Sequence, residues 1–401
     1  MEEASLMVLL LSALLLHSIA DDGAFDLRQH VSTVTRYGVV NNITDNSFVP
    51  SNIPDQCTPI HLNLVLRHGT RAPTKEMLND LALRMEILLQ DAKEQKLALQ
   101  KVPAWFWGWK SPWQGKLKGG ELISEGEDEL YNLGIRTRDK FPQLFNEDYH
   151  PNVYAIRATQ AYRKSQEPAV HKLKEPALDE ITHALVRCYN LNFTRQDTSS
   201  LRFLYKKEAS LLNITDQACA LFSPFEVVLL EWTYDLELFI LKGYGNALNY
   251  QMGVPLLEDV VQSMEQAIMA KEEEHAPGSY EKARLRFAHA ETLLPFSCLI
   301  GLFLEESDFE KIQKEQPLQL PPKPPQRRNW RGSVAVPFGG NNMMVVYSCP
   351  AKSSSKYFVH VLHNEHPVPM LERIVAPHLK YDYNTICNLQ SENPEPMALT
   401  I

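Results

Sequence analysis

The sequence predicts an α/β fold: a sheet flanked by helices, with a helical subdomain inserted between parts of the sheet. Three observations carry this. Short apolar runs open Leu62–Pro73, occupy Asn152–Arg157 and open Leu285–Thr292, and each ends in polar or charged residues. Helical spacing of Leu, Met, Glu and Lys fills the chain between them. From Glu167 to about Ala270 strand signals are few, so helix interrupts the sheet. A continuous apolar run fits a strand covered on both faces, as in a parallel sheet. Such sheets bind ligands beyond the carboxyl ends of their strands.

Taken in order, Phe25 to Pro59 is polar and turn-rich and is expected to drape over the surface. Lys75 to Lys101 has the spacing of a long amphipathic helix. Val102 to Gly120 gathers Trp105, Phe106, Trp107, Trp109 and Trp113 among Gly and Pro, the composition of a packed aromatic loop. Ser124 and Glu127 have the spacing of a capping box, so a helix is expected over Ser124–Phe141. Glu272 to Gly278 is a charged break, and Leu293 to Leu304 follows the third apolar run as a helix. Ser333–Phe338, Met343–Cys349 and Tyr357–Leu362 alternate as strands, the last two as a hairpin. The expected division is a leader over 1–20, one domain over 21–370 and a tail over 371–401. Within that domain the α/β core takes about 57–163 and 280–365, and the helical insert about 167–278.

The 401 residues carry a formal charge of −9 and contain no basic run, which argues against general nucleic-acid binding. Leu6–Ala20 is apolar and closes on Ser18-Ile19-Ala20, the form of a secretory signal peptide, and is short for a membrane span. Asn42, Asn192 and Asn213 each open an Asn-x-Thr glycosylation triplet. None of the six cysteines forms Cys-x-x-Cys, so disulfides are favoured over zinc. Cys57 precedes the first strand and Cys349 follows a late one, which makes them a candidate pair. His360, His363, Glu365 and His366 lie close together, but strand alternation sends His360 and His363 to opposite faces and no zinc spacing is present. No metal or cofactor is expected. Secretory-pathway localisation, extracellular or vacuolar, is.

The chemistry concentrates at Arg67-His68-Gly69-Thr70-Arg71-Ala72-Pro73. Two permanently charged guanidinium groups around one imidazole favour a phosphate anion, and a histidine held there can attack phosphorus. A second polar strand end carries His289-Ala290-Glu291. Alone, His289 reads as a core histidine and Glu291 as a carboxylate at a helix N-terminus. Beside the first motif they supply a phosphate donor and a proton donor for the leaving alkoxide.

The motif Arg67–Pro73 resembles the signature of the histidine acid phosphatases. His289-Ala290-Glu291, Tyr280–Phe296, Lys242-Gly243-Tyr244-Gly245-Asn246 and Val359–Val368 are similar to the plant branch of the multiple inositol polyphosphate phosphatases within that family. The resemblance covers roughly Phe25 to Met370. It implies metal-independent removal of phosphates from inositol hexakisphosphate and lower inositol phosphates, and for some members from 2,3-bisphosphoglycerate. A broad acid phosphatase is the alternative, as is a truncated form with impaired catalysis. The implied roles are His68 as nucleophile, Glu291 as proton donor, and Arg67, Arg71 and His289 as phosphate clamps. Lys75, Arg157 and Lys242 are implied to bind substrate. Arg163 stands six residues after Arg157, at the spacing of a third clamp, but Lys164–Pro168 is similar to a stretch the family has much further on. An intervening segment is therefore missing. The family commonly has a cysteine where Tyr205 stands, which leaves Cys219 expected to be unpaired.

Overall fold

β1, Thr58–Arg67, occupies the middle of a six-stranded sheet with the order β2-β3-β1-β4-β5-β6. The computed structural model describes residues 25–40, 56–94, 101–113, 119–158, 168–303, 323–324, 328–350 and 356–368. The leader, Asn42, Arg163 and the tail over 371–401 lie outside the described residues. β2 (Tyr154–Ala158) and β3 (Ala283–Ala288) run parallel to β1, with Leu62 beside Ala283 and Arg67 beside Ala288. β4 (Asn341–Ser348), β5 (Tyr357–His363) and β6 (His366–Pro367) form the antiparallel half. The hairpin expected from the late strands is β4–β5.

Alternation along β1 explains how one strand serves two layers. Leu62, Leu64 and Leu66 join Leu133, Phe141 and Val153 in one apolar cluster. The opposite face carries His61, Asn63, Val65 and Arg67, all buried. These polar groups are satisfied from neighbouring elements, as burial requires. Asn63 Oδ1 accepts from Arg286 at 2.7 Å and from Ser263 at 3.0 Å, and His61 Nδ1 lies 3.1 Å from the Glu281 carbonyl.

The main helices are α1 (Lys75–Glu94), α2 (Ser124–Lys140), α3 (Pro168–Tyr189), α4 (Arg195–Lys207), α5 (Pro224–Lys242), α6 (Val254–Glu272) and α7 (Ala290–Leu299). Four of them, α3 to α6, fall between β2 and β3. Capping boxes start α4, from Thr194 and Asp197, and α5, from Ser223 and Glu226. The box expected at Ser124 does not form. Ile123 is the N-cap, and the Ser124 hydroxyl, already inside the helix, donates to Glu125.

Three further expectations are corrected. Ser333–Phe338 is not a strand: Gly332–Ala335 is a short helix and the chain then turns through Gly339, at φ +67°, into β4. α7 begins at Ala290 rather than Leu293, which puts Glu291 in its first turn. Residues 25–40 do not drape over the surface. Leu27, Val31 and Tyr37 are buried, and His30 and Ser32 reach Glu231 and Asp235 on α5, carboxylates that also pair with Arg328 at 2.9 Å each. A polar sequence is buried here because its charges are matched by groups some two hundred positions away.

The Cys57–Cys349 disulfide forms just outside the first β1–β4 pair, Thr58 with Ser348, and closes a separation of 292 residues. Cys219 is free and buried, and Tyr205 packs its ring 5.5 Å from Phe222. Replacing Cys57 and Cys349 by serine is expected to lower stability by about 2–5 kcal/mol, read as a fall in the denaturant midpoint with a steeper slope, because the unfolded chain is no longer cross-linked.

Candidate active site

At the carboxyl end of β1 the backbone is fixed before any side chain is considered. The His68 amide continues the β1–β3 ladder to the Ala288 carbonyl at 3.1 Å, and the His68 carbonyl accepts from Gly339 at 3.1 Å. The Thr70 amide and hydroxyl both donate to the Glu129 carboxylate on α2, at 2.7 and 3.0 Å. Gly69 lies against Gly126 so closely that a Cβ on Gly69 would stand 2.0 Å from the Gly126 carbonyl oxygen. The glycine in the motif is thus required by backbone packing against the first turn of α2, independently of any ligand.

His68 Nδ1 lies 2.8 Å from the Gly69 carbonyl. A carbonyl only accepts, so Nδ1 carries the proton and the Nε2 lone pair is left available. The ring meets His289 edge-on at 5.3 Å and Phe338 at 5.7 Å. Burial first, then the charges of Arg67 and Arg71, push its pKa down to about 3. The imidazole is neutral across the ordinary pH range.

The charges this ring feels most are those of Arg67 and Arg71. Arg67 is buried, stacks at 4.5 Å on the Phe338 ring, and donates to the Thr33 and Val336 carbonyls. Desolvation lowers its pKa to about 10, and it stays charged. The Arg71 guanidinium makes no side-chain hydrogen bond or ion pair among the described residues. His289 caps α7, and Lys242, the last residue of α5, reaches Glu291 Oε1 at 2.7 Å. Burial alone would raise the Glu291 carboxyl, but Lys242, the helix backbone and Arg67 together bring it down to about 2. Without substrate, Glu291 is therefore a carboxylate.

Of the residues singled out in the sequence, His68, Arg67, Arg71, His289, Glu291 and Lys242 come together. Lys75 opens α1, exposed, four residues beyond Arg71. Arg157 does not join them. It stands opposite Arg286 in β2, one position short of the strand's last residue, and pairs with Asp259 at 2.9 Å. Asp259 also binds Arg284 and Arg286, so Arg157 belongs to a charge cluster on α6. Asn192 and Asn213 are exposed. Sequence reasoning missed Glu129, Phe338 and Thr33, which support the loop or Arg67; they lie in three separate segments with no spacing to link them.

Residues 60–166 and 159–364 match the histidine phosphatase superfamily (branch 2). The chain is 25% identical over 446 residues to multiple inositol polyphosphate phosphatase 1 of Homo sapiens, spanning 90% of this chain and 88% of that protein. It is 24% identical over 368 residues to the Gallus gallus protein of the same name, spanning 79% of each. The fold is similar to that of the Bifidobacterium longum multiple inositol polyphosphate phosphatase in complex with inositol hexasulfate, with a TM-score of 0.61 at 16% identity over 85% of this chain and 92% of that one. The phytase from D. castellii gives 0.62 at 16% identity, over 86% and 80%. The alignment with the human protein runs over 446 positions but takes in only 90% of 401 residues, so about 85 of its positions have no residue here. With the motif, the sheet that presents it and the two matched stretches in agreement, the chain belongs to branch 2 of the histidine phosphatase superfamily.

Proposed function

We propose that this chain hydrolyses phosphomonoesters of inositol polyphosphates through a phosphohistidine intermediate at His68. The observation that supports the proposal is a neutral imidazole whose Nδ1 is held by the Gly69 carbonyl and whose pKa is depressed by burial and by the charges of Arg67 and Arg71. Nε2 attacks phosphorus, and the bond from phosphorus to the inositol oxygen breaks. Arg67, Arg71 and His289 hold the non-bridging oxygens, and Lys75 is placed for outlying phosphates. Glu291 protonates the leaving oxygen, and water then cleaves the phosphohistidine to release inorganic phosphate. Glu291 can donate only after Lys242 turns from it to a substrate phosphate, which removes the cation that holds the carboxyl down and puts an anion in its place. The names of the human and chicken relatives support the substrate class.

The test is phosphate release from inositol hexakisphosphate in excess chelator. Turnover is expected to survive the chelator and to exceed that on p-nitrophenyl phosphate. Equal rates on both substrates would favour a broad acid phosphatase, and dependence on added metal would overturn the mechanism.

A second reading, binding with impaired hydrolysis, has its own support. About 85 aligned positions of the human relative are missing, the two matched stretches meet at 159–166, and Ile156 in the adjoining β2 is 55% exposed. Tight hexakisphosphate binding without phosphate release would decide for it. The apolar leader, the exposed Asn192 and Asn213, and the disulfide support passage through the secretory route, where disulfides form and persist. Among the described residues no helix is long and apolar enough to cross a membrane.

A further inference from the structure

Arg67 gives Nη1 to two backbone carbonyls, Thr33 and Val336, while its buried Nε has no hydrogen-bond partner among the described residues. The two carbonyls belong to segments far apart in the chain, and both segments meet on one carboxylate. Asp235, wholly buried on α5, accepts at Oδ1 from the Ser32 hydroxyl at 3.2 Å and from the Gly332 amide at 3.0 Å. Ser32 precedes Thr33. Gly332 opens the short helix that leads to Val336, whose amide returns to the Gly332 carbonyl at 3.2 Å. The segments also touch, since a Cβ on Gly332 would stand 2.3 Å from Ser32 Oγ and 3.2 Å from Thr33 Cγ2. Ser32 is at φ +55°, a left-handed backbone that persists in a non-glycine residue only when its surroundings hold it. Stability alone does not call for a carboxylate at this place. Asp235 and Glu231 are buried together on α5 with Arg328 at 2.9 Å from each, and apolar residues of similar volume often serve such a position as well or better. What they cannot supply is one acceptor shared by two donors from separate segments.

We propose that Asp235 is a positioning residue for Arg67: by accepting from Ser32 and Gly332 at one oxygen, it sets the Thr33 and Val336 carbonyls where they orient the guanidinium. This rests on the reading of Arg67 as a clamp on the reacting phosphate. Two acceptors on Nη1 and the Phe338 ring 4.5 Å away fix the plane of the guanidinium, which leaves Nε to donate to a phosphate oxygen. Asp235 itself touches neither substrate nor a reacting atom. α5 thereby serves the site at two points, through Asp235 behind Arg67 and through Lys242 on Glu291.

The experiment compares two double variants, Asp235→Asn with Arg328→Met and Asp235→Leu with Arg328→Met. Both remove the ion pair, and they differ only in whether an acceptor oxygen faces Ser32 and Gly332. Calorimetric titration with inorganic phosphate is expected to give an affinity within about 2-fold of wild type for the Asn pair and about 10-fold weaker for the Leu pair, the loss of one charge-assisted contact. Turnover should fall about 10²-fold in the Leu pair only, as for a misplaced charge that stabilises the transition state. Ser32→Ala removes one of the two donors with little risk to folding, and should weaken phosphate binding about 3-fold on the same scale. In an Arg67→Ala background neither the Leu pair nor Ser32→Ala should cost more than about a further 2-fold, because coupled residues are not additive. Equal losses for the Asn and Leu pairs, wild-type phosphate affinity in the Leu pair and Ser32→Ala, or undiminished losses in the Arg67→Ala background would each overturn the proposal. The hydrolase reading fails separately: this pattern of phosphate binding in a protein that releases no phosphate from inositol hexakisphosphate would sink that reading and leave this one standing.

Discussion

His68→Ala is expected to reduce phosphate release from inositol hexakisphosphate by about 10⁴-fold or more while leaving the fold intact. The size follows from the proposed role, since the variant has no Nε2 at the carboxyl end of β1. The fold should survive because the ring gives up only its bond to the Gly69 carbonyl and its edge contacts with His289 and Phe338. Far-ultraviolet circular dichroism checks the fold, and a brief reaction with labelled substrate stopped in alkali, where a phosphohistidine survives, should give phosphoprotein from the wild type only. The wild-type pH profile carries the same signature. An imidazole attacks only when neutral, and the His68 pKa is about 3, so its protonation limits activity only below that value. A limb centred near the ordinary histidine value of about 6.5 and abolished in the variant would contradict the assignment.

Gly69→Ala is expected to cost about 10²-fold in turnover and about 1–3 kcal/mol in stability. The new Cβ would lie 2.0 Å from the Gly126 carbonyl oxygen and 2.9 Å from its Cα, so backbone must shift on one side. Either shift displaces His68, whose own backbone is bonded to Ala288 and Gly339 and whose loop is held at Thr70 by Glu129 and Ile123. The reciprocal Gly126→Ala meets the Thr70 carbonyl at the same 2.0 Å and should give a similar phenotype without touching the motif. Turnover and denaturant midpoints near wild type for both variants would show that the loop has slack that this geometry does not allow.

Much of this was legible in the residues. The apolar runs ending at Arg67 and Ala288 became neighbouring parallel strands, and the motif and the His289–Glu291 pair met at their carboxyl ends. Local patterns failed where a distant partner decides. Arg157 reads as a site cation until Asp259 claims it, and Ser333–Phe338 reads as a strand until its turn is used to carry Gly339 to His68. The polar amino-terminal stretch reads as surface because nothing in it names Glu231 or Asp235.

The central position of β1 also sets an order of events. Its partners begin at Ala283 on one side and Asn341 on the other, more than two hundred residues later in the chain. During synthesis the strand that ends in Arg67 must wait, apolar and unpaired, while the helices between β2 and β3 are made and can fold on local contacts. Most of the chain is made before β1 has both its neighbours, and the loop that carries His68 is among the last parts to reach its place.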